Sequence, residues 1–74
     1  MRTRDIINNN IKKYCNEREI SYYELSKKLN KNSNFIEKML KNEYKRYPTL
    51  DLIDSIARIF NIETICLFDI EKES

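Results

Sequence analysis

Apolar residues recur at helical spacing in four stretches of this chain. Ile7, Ile11 and Tyr14 stand at i, i+4 and i+7 with Cys15 beside them, which predicts a first helix from Thr3 to about Asn16. Arg2, Arg4, Lys12 and Lys13 are its polar remainder. Leu25 and Leu29 lie one turn apart on a second helix, over about 21–29, with Lys27 and Lys28 pointing away. Ile36, Met39 and Leu40 mark the buried side of a third, over about 33–41. The 100° rotation per residue then puts Asn34, Lys38 and Lys41 on its opposite side, flanked by Phe35 and Glu37. Leu50, Ile53, Ile56, Ala57 and Phe60 give a fourth helix ending at Asn61. Residues 62–70 are apolar on more than one side: Ile62 and Leu67 are expected in the core, and one face cannot bury Ile65, Cys66, Phe68 and Ile70 as well.

The breaks between these stretches carry their own signals. In S-x-x-E, the Ser21 hydroxyl is expected to accept from the Glu24 N–H while the Glu24 carboxylate reaches back to the Ser21 N–H, and Ile20 and Leu25 are placed for a hydrophobic staple. Asn30 is expected to end this helix, because Asn tolerates the left-handed conformation better than other residues with a side chain. Asn32 or Ser33 is a natural cap for the third helix. Residues 41–48 read as a loop, broken by Asn42 and closed by Pro48, which disfavours a helical conformation at Tyr47. Thr49 can then cap the fourth helix, and residues 17–19 form a short connection after the first.

Composition narrows the class. Seventy-four residues with no Gly, one Pro, 41% hydrophobic and 35% charged side chains suit a single compact helical domain over 1–74. A core of this size encloses no large active site. With no His, no Gly-rich phosphate loop and no metal-spaced cluster, the sequence argues against an enzyme and calls for no cofactor or metal. Cys15 and Cys66 are isolated and read as small buried hydrophobes in a reducing compartment. No apolar run approaches the roughly 20 residues of a membrane span. MRTRDIINNN lacks the apolar segment of a signal peptide, so a cytoplasmic protein with no membrane partner is expected. The net charge of +2 says little, but its distribution says more: residues 1–26 carry +1, residues 27–46 carry +5 and residues 47–74 carry −4. Lys38, Lys41, Lys45 and Arg46 follow the polar face of the third helix and its exit, where a polyanion would lie.

Residues 21–40, SYYELSKKLNKNSNFIEKML, resemble the helix-turn-helix of the phage-repressor (Cro and Xre-like) family. That pattern runs as a polar cap, Leu-Ala, a Gly turn, a second polar cap, and Ile with another apolar residue three further on. Here those places hold Ser21, Leu25-Ser26, Asn30, Asn32, Ile36 and Met39. Residues 48–62 are similar to the family's fourth helix, and Leu67 and Phe68 match the apolar pair closing its fifth. The resemblance implies an all-α, compact five-helix lambda-repressor-like DNA-binding domain. It further implies a sequence-specific double-stranded DNA-binding transcriptional regulator, a repressor acting by promoter occupancy with the third helix in the major groove. On this reading Ser33, Asn34 and Lys38 reach base edges, the Asn34 amide suiting adenine and Lys38 suiting guanine. Phosphates are gripped by Ser21, Tyr22, Asn32, Lys41, Lys45 and Arg46. Glu37 is expected to exclude some sequences, and Phe35 to pack against the second helix. No small-molecule effector is evident.

Departures from the family pattern are informative. Asn30, Asn42 and Asn61 stand where the family tends to use Gly. Cys15 and Leu40 replace an Arg and a Glu that commonly form an ion pair; exchanging both partners for apolar groups can be neutral, and the two are expected to meet. Lys31 stands where the turn usually buries an aliphatic residue. Three readings of the apolar strip stay open. Ile59, Ile65, Phe68 and Ile70 form a two-fold homodimer contact; or these residues only seal the base of the core; or the 62–70 surface serves another protein, making the chain an interaction module or antitoxin-like regulator.

Overall fold

The computed structural model of the chain describes residues 2–69. Four α-helices follow one another, α1 (Thr3–Arg18), α2 (Tyr22–Lys28), α3 (Phe35–Leu40) and α4 (Leu50–Phe60), and a 3-10 turn over Thr64–Leu67 closes the fold. There is no strand among the described residues. The expected fifth α-helix is thus corrected to that single turn, held by Cys66 N–H to Glu63 C=O at 2.9 Å and Phe68 N–H to Ile65 C=O at 3.0 Å. Side chains at i and i+3 eclipse in such a turn, so Leu67 can enter the core while Ile65 is turned out. Asn10 of α1 fixes its end, donating from Nδ2 to the carbonyls of Leu67 and Asp69, both at 2.8 Å.

The core joins Ile7, Ile11 and Cys15 of α1, Leu25 of α2, Ile36, Met39 and Leu40 of α3, five side chains of α4, and Leu67. Cys15 and Leu40 are both buried in it. On α4 the expected stripe holds except at its start: Leu50 is 73% exposed and Leu52 is buried instead. The two flank the stripe of Ile53, Ile56, Ala57 and Phe60 on opposite sides, so periodicity does not choose between them. Leu52 borders a groove shared with Leu29 at the end of α2, whereas Leu50 borders an open groove with Pro48 and Phe68.

All four helices end on a residue in the left-handed region: Glu19 (φ 54°), Asn30 (60°), Asn42 (61°) and Asn61 (58°). In each case that residue's N–H and the next one fold back onto the last turn, as in Ile20 N–H to Cys15 C=O (2.9 Å) and Lys31 N–H to Ser26 C=O (3.0 Å). The three asparagines are where the sequence places them. Glu19 was not expected, and through it α1 runs two residues past Asn16.

Candidate nucleic-acid interface

α2 begins with the reciprocal cap read from the sequence: Glu24 N–H donates to Ser21 Oγ at 3.0 Å, and Ser21 N–H donates to Glu24 Oε1 at 3.2 Å. After Asn30 the chain makes a tight turn, Phe35 N–H to Asn32 C=O at 2.9 Å, and α3 starts only at Phe35. Neither Asn32 nor Ser33 caps it, and Asn34 flanks it without a side-chain bond. The first turn is satisfied from across the motif. Ser26, fully buried on α2, accepts the Ile36 N–H on Oγ at 3.0 Å while donating to the Tyr22 carbonyl at 2.8 Å. One hydroxyl thus ties the two motif helices together across the turn.

A second brace is aromatic. Phe35 is buried, and its ring stacks on Tyr44 at 5.3 Å and meets Tyr47 edge-on at 5.0 Å, both in the loop after α3. Phe35 lies in the same core as Leu25 of α2 and in addition joins this loop cluster, which Tyr44 and Tyr47 complete at 5.9 Å. Lys31 fits the same cluster. Its ammonium stands 5.4 Å from the Phe35 ring centre and 5.8 Å from that of Tyr47, a cation–π arrangement that explains a Lys at an aliphatic position. The loop is also tied to α1, by Arg4 Nη2 to the Lys45 carbonyl at 3.0 Å and Asn8 Nδ2 to Asn42 Oδ1 at 3.3 Å.

On this frame Asn32, Ser33 and Asn34 are exposed ahead of α3, and Lys38 is half-buried one turn on. Lys41, Lys45 and Arg46 are exposed. Lys41 Nζ reaches Glu37 Oε2 at 3.1 Å, an exposed i, i+4 pair of small energy that offsets part of its charge. Ser21 is exposed, yet its N–H and hydroxyl are both occupied by Glu24. Tyr22 is half-buried, and burial followed by the neighbouring Cys15 pushes its phenol above the usual range. Burial alone pushes the Cys15 thiol up to about 11.

Of the residues expected at a dimer contact, Ile65 is 64% exposed, Ile59 and Phe68 are partly buried against the core, and Ile70 lies outside the described residues. The exposure of Leu50, the bridging bond of Ser26 and the loop contact of Arg4 have no signal in the sequence. Leu50 was hidden by fitting the stripe, Ser26 by occupying a small-residue place, and Arg4 by lying on a polar helix face.

Among the described residues no three His, Cys, Asp or Glu side chains group to hold a metal, and no helix is long and apolar enough to cross a membrane. A family model, the Cro/C1-type HTH DNA-binding domain, matches residues 10–71. No curated protein and no solved structure matches the chain.

Proposed function

Since the chain belongs to the Cro/C1-type helix-turn-helix DNA-binding family, we propose that it is a transcriptional repressor that occupies promoters as a homodimer, with α3 of each protomer in the major groove. The observation that carries this reading is the exposed row of Ser33 and Asn34 leading into Lys38 on α3, on a helix start braced from behind by Ser26 and by Phe35. A side chain that reads a base must be held by groups other than the base. The Asn34 amide caps nothing in α3, which leaves it open to the N6 and N7 of adenine, and Lys38 follows toward guanine O6 and N7. Asn32, Lys45, Arg46 and the first turn of α2 at Ser21 and Tyr22 grip phosphates on either side, with Lys41 in exchange with Glu37. Because the Ser21 N–H is taken by Glu24, the donors left at that end are those of the following residues.

The dimer contact is formed by Ile65 with Ile59, Phe68 and Ile70 around the closing turn. A second reading, a module that uses this surface for another protein, is favoured by the 64% exposure of Ile65 alone.

Selection of bound duplexes from a random library, with wild type and the Asn34→Ala/Lys38→Ala variant side by side, tests the proposal. The expected result is a two-fold symmetric motif with half-sites about 10 base pairs apart, lost in the double variant. No enrichment by folded wild-type protein overturns DNA reading and directs attention to a protein partner at the closing turn.

A further inference from the structure

Positive charge extends beyond the face just described, from its loop onto the start of α1. Arg2 and Arg4 open α1, Lys45 and Arg46 lie in the loop after α3, and the Arg4 bond to the Lys45 carbonyl brings these distant parts of the chain together at 3.0 Å. One turn along α1, Asn8 meets Asn42 at 3.3 Å. Residues i and i+4 share a helix face, so one side of α1 receives the loop that leaves the third helix. Arg4 and Arg46 border a common groove, and no carboxylate lines it. Asp5 and Glu43 are the acids nearest in sequence, and none of the four cations pairs with a carboxylate among the described residues. A guanidinium bonded to one carbonyl keeps its full charge and most of its five donors. Arg4 and Arg46 share that groove, with Arg2 and Lys45 beside them in the chain, and a polyanion relieves the repulsion among such cations.

Resting on the reading of the chain as DNA-binding, we infer that the start of α1 is a second phosphate-gripping surface. There Arg2 and Arg4 hold the duplex backbone beside the phosphates taken by Lys45 and Arg46. Arg4 acts twice, as a phosphate contact and as the brace that positions the loop. The guanidinium fork suits this task, because it can offer two parallel N–H donors to a phosphate where an ammonium offers a point charge. The ligand is the phosphodiester backbone, so these contacts strengthen binding to all sequences alike.

The test is the salt dependence of binding to one labelled duplex of fixed mixed sequence, followed by fluorescence anisotropy. Each phosphate contact adds about 0.9 to the magnitude of the log–log slope. Arg2→Gln and Arg4→Gln are each expected to lower it by about that amount per protomer, and Arg4→Lys to retain it. Arg58→Gln, at the end of α4 beside the far end of α1, is expected to leave the slope unchanged, since Arg18 there bonds the Phe60 carbonyl. Arg2 makes no cap bond, so its variant reads charge alone even if Arg4→Gln loosens the loop. If Arg2→Gln and Arg4→Gln both keep the wild-type slope while Lys45→Gln lowers it, the surface stops at the loop and the inference fails with DNA binding intact. A wild type that shows no salt-dependent binding overturns the DNA reading itself.

Discussion

The hydroxyl of Ser26 takes the place of a cap for a helix in which it does not lie. The Ile36 N–H belongs to the first turn of α3, where a backbone donor has no partner within its own helix, and it is buried. Removing its acceptor leaves that donor unsatisfied, which costs about 1–3 kcal/mol. Ser26→Ala is therefore expected to lower the unfolding free energy by that order and the urea midpoint with it, although Ala is the better helix former within α2. An unchanged midpoint would show that the bond is replaced from elsewhere. Nothing in the sequence marks this role: a small residue after Leu25 satisfies the motif whether or not it carries a hydroxyl, and the partner N–H is ten residues away.

At the scale of elements, helix ends are shared between legible and hidden signals. The Ser21–Glu24 cap and the Thr49 hydroxyl, which accepts from Leu52 N–H at 3.2 Å, were readable because donor and acceptor are three residues apart. Asn30, Asn42 and Asn61 were readable because Asn enters the left-handed region with a small penalty. Glu19 gives no such signal, and it adopts φ 54° where its own N–H and that of Ile20 fold back onto the last turn of α1. A side chain other than Asn, Asp or Gly carries a cost of roughly 1–2 kcal/mol in this conformation. Glu19→Gly is expected to stabilise the protein by about 0.5–1 kcal/mol, part of the relief being offset by the freer unfolded chain. Thermal melting with a rise of several degrees would agree; a fall would mean that the Glu19 side chain contributes more than its backbone costs. The start of α3 was misplaced by two residues for the same kind of reason, since its cap is not local.

For the whole molecule, the buried thiol of Cys15 couples folding to pH. Its pKa rises from the ordinary 9.0 to about 11 because burial penalises the thiolate. Between those values the unfolded chain has released more of the proton than the folded chain, so this contribution is complete well below pH 9 and is lost as pH rises toward 11, at less than about 1.4 kcal/mol per pH unit. Tyr22, raised by burial and then by Cys15, and Tyr14, raised chiefly by burial, act in the same direction above pH 10. Urea midpoints are expected to be level well below pH 9 and to fall as pH rises toward 11, with Cys15→Ala shallower between pH 9 and 10; an identical fall in the variant would remove Cys15 as the cause. The sequence by itself determined the all-α class, the order of the four α-helices, most of the core and the three Asn turns, because each is written in spacings of a few residues. Only the tertiary structure decided that the closing segment is a 3-10 turn, that Leu52 is buried and Leu50 exposed, that Phe35 joins Tyr44 and Tyr47, and that Arg4 meets the loop after α3. Those outcomes depend on which distant side chains fill the same space, and periodicity along the chain carries no information about them.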